Sequence, residues 1–327
     1  MNTSALLPTT VTAYTRVIVW LNLIVNIGIV GTGGLVRLTG SGLGCPTWPM
    51  CTPESLVPTQ EMGIHGLIEF GNRTLTGVLV VVALLAFLAV LRTPKSLGLV
   101  RPAFAIGVLI IVQAIIGGIT VLVELDPRIV GVHFLFSAAI VALAGLLLQR
   151  VRLAEPLPRA DATKAAPGLW ASAIVVAALT WFTEIFGVLT TGAGPHAGDS
   201  AAARNGLDPA IMQHVHAWPG YALVAALLIL LFVAARNGAK QTLRSTIWLG
   251  VIVLIQIGFG VYQARTGLPI WSVVIHMLLA VVAVAQLSIM LVTARREIAA
   301  QEPSDYRGEE SLAEGSLAEE SHEAQRS

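Results

Sequence analysis

A small set of polar and ionisable residues lies inside long apolar runs of this sequence, and these residues are the most able to do chemistry. They are Glu69, Asn72, Arg73, Gln113, His133, Glu184, Gln213, His214, His216, Gln256 and His276. Each such group is costly to place in hydrocarbon, so each is a candidate functional residue. Measured along their predicted helices, Glu69, Asn72, His133, His216 and His276 all lie one to two turns from the same membrane surface. This common depth indicates a site more strongly than any single residue does.

His216 and His276 form the clearest pair in this set. Neutral imidazole is the usual protein ligand of haem iron, and two imidazoles from facing helices give a six-coordinate haem in a bundle core. The alternative is two histidines that hydrogen-bond across a helix interface. Their matching depth, at equivalent positions of a repeat, favours haem ligation. His214 points about 200° away from His216 around the helix, so it cannot share the same iron.

Glu69, Asn72 and Arg73 are spaced i, i+3 and i+4, so they share one helix face. Together with His133 they take the place in the first half of the chain that the histidine pair takes in the second. One interpretation is a buried Glu69–Arg73 ion pair that only neutralises itself. The other is a carboxylate held beside a bound group near the membrane surface.

Cys45 and Cys51 are the only cysteines, and both fall in one loop, GSGLGCPTWPMC. Outside the cytoplasmic membrane the surroundings are oxidising, so a disulfide is plausible there. Such a short loop is either structural or redox-active, and the spacing does not decide between them. A metal site is less favoured because no His or acidic residue nearby completes a tetrahedral set. His196, in a later loop on the same side, is expected to face solvent.

Lipid must solvate the chain that carries these residues. Of its 327 residues 55% are hydrophobic and only 12% are charged, whereas a soluble domain carries about a quarter charged residues. The net charge of +1, with basic residues scattered over short loops, gives no sign of nucleic-acid binding. About 20 apolar residues cross a bilayer as a helix. Runs of that kind are Val17–Val36, Gly66–Leu91, Phe104–Val123, Val130–Leu148, Leu169–Thr190, Ala210–Ala235, Ile247–Gln263 and Ile270–Val292.

Basic residues predict the orientation of these eight spans, because Lys and Arg favour cytoplasmic loops. Most of them fall at the two termini and in the even-numbered loops. The chain is therefore expected in the cytoplasmic membrane, with both termini in the cytoplasm and the cysteine loop outside. The segment 299–327 is acidic and has too little apolar content to fold alone.

The two halves of the chain repeat each other. Gln113 and His133 recur as Gln256 and His276 at an offset of 143, and Asn72 aligns with His216 at an offset of 144. Four helices per repeat place both copies in the membrane in the same direction. The sequence therefore predicts an all-α integral membrane protein, built as two tandem four-helix bundles related by a pseudo-twofold axis along the membrane normal.

Several motifs together resemble the haem A synthase family. They are GGLVRLTGSGLGCPTWPMC (Gly33–Cys51), IEFGNR (Ile68–Arg73), VHFLFSA around His133, and the histidines of the sixth and eighth spans. The resemblance covers roughly Val17 to Val292. It implies an enzyme that oxidises a ring methyl of haem O to a formyl group, giving haem A for terminal oxidases.

The resemblance also implies a division of labour. Residues 1–150 would bind the substrate, haem O, and residues 169–298 a haem b, with 151–168 as a cytoplasmic linker. Glu69 would be the catalytic carboxylate, His133 a ligand of substrate haem, His216 and His276 the haem b ligands, and Cys45 and Cys51 a disulfide.

One position departs from the family pattern Glu-x-x-His-Arg, because Asn72 replaces the histidine. A carboxamide is a poor haem ligand, so the substrate iron is expected to have one open or water-held position beside Asn72 and Arg73. His65 lies on roughly the same face but about 10 Å nearer the surface, which disfavours it as a substitute ligand.

Two other functions remain open at this point: a b-type cytochrome that passes electrons between a quinol and a partner, and a non-enzymatic transporter. The resemblance further implies a haem O synthase and an electron donor as partners, and it leaves room for a homo-oligomer.

Overall fold

Eight long helices make up the computed structural model, which describes residues 7–159, 163 and 166–301. They are α1 (Ala13–Leu38), α2 (Gly63–Leu91), α3 (Val100–Leu122), α4 (Pro127–Leu153), α5 (Pro167–Ala193), α6 (Pro209–Arg236), α7 (Lys240–Arg265) and α8 (Ile270–Ala299). Each is long and apolar enough to cross a membrane. No strand occurs among the described residues. The chain is thus an all-helical, multi-pass membrane protein, as predicted, while most of the acidic tail (302–327) lies outside the described residues.

The helices run past the ends of the apolar runs that predicted them. α4, for example, continues to Leu153 and carries Arg150 and Arg152 in its last turn. Cations are favourable there because the helix dipole leaves negative charge at a C-terminus. Hydropathy locates only the part of a helix in hydrocarbon, so it misses these polar last turns.

Aspartate and proline begin two of the helices. Asp126 accepts a hydrogen bond from the backbone of Arg128 at the start of α4, and Asp208 accepts two from the first turn of α6. In both cases proline follows at the first helical position, where its missing N–H costs nothing. These caps fix the depth at which the histidines of α4 and α6 enter the bundle.

The helices of each half pack around one another. α1 packs against α2 and α4, with α3 between α2 and α4; α5 packs against α6 and α8, with α7 between α6 and α8. The halves meet where α8 contacts α1 and α4, and where α5 contacts α4. At the α4–α8 crossing, a Cβ on Gly145 would lie 2.7 Å from the carbonyl oxygen of Ala285, so only a glycine permits this approach. These neighbours agree with the expected repeat, whose axis stays a prediction.

The loops that contain the cysteines and follow α3, α5 and α7 meet at one end of the bundle, here called the outer end. Arg37 donates hydrogen bonds to the carbonyls of His196 (2.7 Å) and Thr191 (2.9 Å). His196 Nε2 lies 3.2 Å from the carbonyl oxygen of Leu268. The expectation that His196 simply faces solvent is therefore wrong. It is half-buried and bridges two loops, because the arginine from α1 holds its backbone over the bundle.

Candidate functional site

His216 of α6 and His276 of α8 face each other inside the second half of the chain. Their ring centres are 6.3 Å apart and their planes are nearly perpendicular, at 83°. Both rings are half-buried and lie about two turns from the outer end of their helices. The structure therefore brings together the two histidines that the sequence paired.

Each of the three candidate ligand histidines packs against a glycine of a neighbouring helix. A Cβ built on Gly187 would lie 3.0 Å from His216 Cε1, one on Gly260 3.3 Å from His276 Cε1, and one on Gly117 3.0 Å from the same atom of His133. Ordinary carbon–carbon contacts lie at about 3.5–4.0 Å. A side chain at any of these glycines would therefore press on an imidazole, and we call the three glycines the histidine seats.

A glutamine anchors the backbone behind two of these histidines. Gln113 Nε2 donates to the carbonyl of His133 at 2.7 Å, and Gln256 Nε2 donates to that of His276 at 2.9 Å. In both halves the glutamine is four residues before the glycine seat and twenty before the histidine. The repeat seen in the sequence thus corresponds to the same set of contacts in each half.

Each of the three candidate ligand imidazoles keeps one ring nitrogen that is available to a ligand. Within the described part of the chain, the buried Nδ1 atoms of His133, His216 and His276 have no hydrogen-bond partner. A separation of 6.3 Å between ring centres accommodates one metal atom between His216 and His276, given metal–nitrogen bonds of about 2.0 Å. The second half thus fits an iron held by two imidazoles, and the contacts with the glycine seats help to orient the rings.

Glu69 and Arg73 form a buried clamp on the cysteine loop. Glu69 is 5% exposed; its Oε2 accepts from the backbone N–H of Cys45 at 2.6 Å, and its Oε1 pairs with the Arg73 guanidinium. Arg73 also donates to the carbonyls of Cys45 and Thr47, both at 2.9 Å. The Glu69–Arg73 ion pair, one of the two interpretations of the sequence, is therefore present. It also holds the cysteine loop in place.

Cys45 and Cys51 form a disulfide inside the loop that this clamp holds, which confirms the predicted bond. The Trp48 indole of the same loop packs against Gly118 of α3. The contact is so close that a Cβ at Gly118 would collide with the ring. Gly118 is next in sequence to Gly117, the seat of His133. The disulfide loop is thus packed onto the bundle beside the first-half histidine.

The remaining predicted site residues make separate contacts. Asn72 Oδ1 accepts from Thr32 Oγ1 of α1 at 2.7 Å, and His65 Nδ1 lies 2.8 Å from Ser41 Oγ while its ring remains exposed. No hydrogen bond among the described residues joins Asn72 or Glu69 to His133. Glu69 and Arg73 are therefore assembled with the loop, whereas Asn72 is held by α1.

Three residues of the initial polar set lie outside these assemblies. Gln213 and His214 are exposed on α6. For His214 the helical spacing of two from His216 predicts this, whereas Gln213, at a spacing of three, was expected on the His216 face. Glu184 is 9% exposed and one turn from the Gly187 seat, so a carboxyl group lies on the face of α5 that borders His216.

A family of proteins described as cytochrome oxidase assembly proteins matches residues 16–288 of the chain. The chain belongs to this family. Its relatives include proteins named Heme A synthase: one from Geobacillus thermodenitrificans is 30% identical over 121 residues, which is 37% of each chain. One from Alkalihalophilus pseudofirmus is 35% identical over 122 residues, 35% of this chain and 39% of that protein. The chain thus spans less than half the length of these curated relatives, and the family match confirms the resemblance seen in the sequence.

The sequence did not identify the residues that position the candidate histidines and Asn72. Gly117, Gly187 and Gly260 were not recognised as histidine seats, because glycine is common in membrane helices. A usable signal did exist, because the Gln-to-Gly spacing of four recurs before both histidines. Thr32, which holds Asn72, gave no comparable signal.

Proposed function

We propose that this chain is a haem A synthase, an enzyme that oxidises a ring methyl of haem O to a formyl group. The observation that carries the proposal is the repeated seat, in which a glutamine and a glycine of one helix position a histidine of the next in both halves. Two equivalent sites suit a protein that binds one haem as substrate and another as cofactor. The family match and the names of the relatives support the same activity.

His216 and His276 would hold the cofactor, which we assign as haem b. The bound haem would supply a one-electron redox centre for the conversion of the methyl to a formyl group. The protein's own contribution is to hold two neutral imidazoles in a fixed, water-poor site. The glycine seats and the Gln256 anchor orient the rings before any haem enters.

The first half, up to about residue 150, would bind haem O through His133. Asn72 and Arg73 would lie near the opposite face, and the Asn72 amide oxygen is already engaged with Thr32. The hydrophobic tail of haem O would lie among the apolar helices and enter from the lipid.

Glu69 would supply an anion beside the reacting edge of haem O. Its carboxylate is held on one oxygen by Arg73 and on the other by the Cys45 N–H, so its charge would need no reorganisation during the reaction. Positive charge that develops on the oxidised methyl carbon would be stabilised by this fixed carboxylate. The clamp on the disulfide loop would thereby also fix the geometry of the reacting site.

The same proposal includes the setting of the enzyme. The outer end would face away from the cytoplasm, with both termini in the cytoplasm and the membrane being the cytoplasmic membrane. A haem O synthase and an electron donor would act with it, and a homo-oligomer fits the same arrangement.

Co-expression with a haem O synthase tests the activity. Cells that contain both proteins should yield haem A when their pigments are extracted, whereas cells that contain the synthase alone should yield haem O. The matched controls are His276→Ala, expected to lose both the low-spin haem spectrum and the haem A product, and His214→Ala on the exposed face of α6, expected to keep both. Haem O as the sole product of wild-type cells would contradict the proposal. An unchanged spectrum in His276→Ala would contradict the ligand assignment alone.

A further inference from the structure

A cavity of about 150 Å³ opens at the end of the bundle opposite the outer end. It lies between α4 and α8 and is covered by the segment that follows α4. α4 belongs to the first half of the chain and α8 to the second, so the cavity lies on the seam between the halves. None of the candidate haem-site residues lines it.

Three arginines and one glutamate contribute the charges of this cavity: Arg150, Arg295, Arg296 and Glu155. Glu155 forms an ion pair with Arg296. Arg150 and Arg295 have no carboxylate partner among the described residues. Each donates to a carbonyl, of Gly98 at 2.8 Å and of Arg159 at 3.1 Å. Among the described residues, two positive charges are therefore left beside the cavity without an anion.

Each of these two arginines also has one guanidinium nitrogen that makes no hydrogen bond to a described residue. Within the described part of the chain, the Nε atoms of Arg150 and Arg295 are buried and have no hydrogen-bond partner. A buried N–H without a partner is costly, and on a charged guanidinium it is more so. The cavity thus presents two N–H donors, from two helices, that find no acceptor in the described parts of the chain.

The depth and the walls of the cavity indicate which acceptor fits. Arg150 lies about one turn before the end of α4, and Arg295 about one turn before the end of α8, which is the level of lipid headgroups. One turn deeper on the same two helices, Leu146 and Leu291 line the cavity as well. Cations at the rim and leucines below them match the phosphate and the acyl chain of a lipid.

We propose that this cavity binds the phosphate group of an anionic phospholipid, with its acyl chain along Leu146 and Leu291. Guanidinium groups suit phosphate because their N–H donors pair with its oxygens in a planar fork. Basic pockets between membrane helices at the cytoplasmic side are a known type of anionic-lipid site. Because Arg150 and Arg295 come from different halves, the bound lipid would also join those halves at this end of the molecule.

Native mass spectrometry of the purified full chain tests this site. The protein in non-ionic detergent is titrated with phosphatidylglycerol and, separately, with phosphatidylcholine, and bound lipids are counted. We expect one phosphatidylglycerol to bind more tightly than any phosphatidylcholine. Arg150→Gln with Arg295→Gln should weaken that binding roughly 30-fold, given the usual contribution of each basic residue near a membrane surface.

The matched control changes two exposed cations at the same end, Arg152→Gln with Arg244→Gln, neither of which lines the cavity. It should bind phosphatidylglycerol as the wild type does. Equal weakening in this control, or equal binding of the two lipids by the wild type, would overturn the proposal, since either would show only a general attraction of charge.

Two further measurements complete the test. The first keeps the proposal testable if the Gln variant fails to fold, and the second asks whether the site binds free phosphate instead of a lipid. Arg150→Lys with Arg295→Lys keeps both charges and loses the planar forks, so phosphatidylglycerol binding should fall by less than in the Gln variant and stay above that of phosphatidylcholine. Inorganic phosphate at 10 mM should leave the bound lipid in place. Loss of the lipid preference in the Lys variant, or displacement of the lipid by phosphate, would contradict lipid binding.

Discussion

A single methyl group added at Gly187 should weaken haem retention in the second half of the chain. The change Gly187→Ala places a Cβ 3.0 Å from Cε1 of His216, about 0.5 Å closer than a comfortable carbon–carbon contact. The neighbour in this case is the His216 ring, which under the proposed function holds the haem iron. We expect the imidazole to turn or shift away from His276, because the helix backbone behind the new methyl cannot retreat.

The size of the effect follows from two opposing terms. Overfilling a packed site lowers the free energy of unfolding by about 1–3 kcal/mol. Replacing glycine by alanine inside a helix raises it by about 1 kcal/mol. Together the two terms leave the fold about 0–2 kcal/mol less stable, and the strain falls on the imidazole that would hold the haem. Loss of a group that orients a metal ligand usually costs about 10–100-fold in affinity, so we expect haem to be held roughly tenfold more weakly. Gly260→Ala, with its looser 3.3 Å contact, should have a smaller effect.

Haem transfer to an excess of apomyoglobin, followed by absorbance, measures this retention. Gly258→Ala is the matched control, because Gly258 lies two residues before the Gly260 seat and so points about 200° away from it around the helix. A Cβ there meets nothing within 4 Å. It should release haem at the wild-type rate. If Gly187→Ala also keeps the wild-type rate and an unchanged low-spin spectrum, the glycine does not seat a ligand and the reasoning fails.

Three other predictions concern the first half of the chain and its loop. Glu69→Gln keeps the shape of the side chain and loses its charge, so bound haem b should remain while haem A production stops; a wild-type yield would leave Glu69 only its role in the ion pair. Thiol labelling of unreduced, denatured protein should find neither Cys45 nor Cys51 free, and quantitative labelling would contradict the disulfide. Loading with haem O should give a high-spin signal, because Asn72 is a poor ligand, and His65→Ala should not change it. A fully low-spin spectrum that turns high-spin in that variant would instead make His65 the sixth ligand.

The spans and the histidine pair could be predicted because lipid makes polar residues conspicuous. His216 and His276 stand out from apolar runs whose remaining residues need only be hydrophobic. Their spacing within a repeat then implies equal depth. The disulfide was predictable for a related reason, since Cys45 and Cys51 had no other cysteine to compete with.

Other features depend on how closely two helices approach, which no single segment of sequence records. The contact between Gly187 and His216 joins α5 to α6, and only the packed bundle shows that a side chain would not fit. The reach of Arg37 to the carbonyl of His196 likewise depends on how α1 ends beside α5. His196 was expected in solvent because it lies in an outer loop, whereas its environment is set by a residue 159 positions away.

The repeat offers a reason why, under the proposed function, one fold could carry two different haem sites. Both halves keep the glutamine anchor and the glycine seat behind the fourth helix, so His133 and His276 are positioned alike. The halves differ on the second helix, where His216 has its own glycine seat while Asn72 is held by Thr32. Two imidazoles saturate an iron and suit electron transfer, whereas one imidazole leaves a face on which substrate chemistry can occur. Under the proposed function, this difference at a repeated position would leave the iron in the first half more open than the iron in the second.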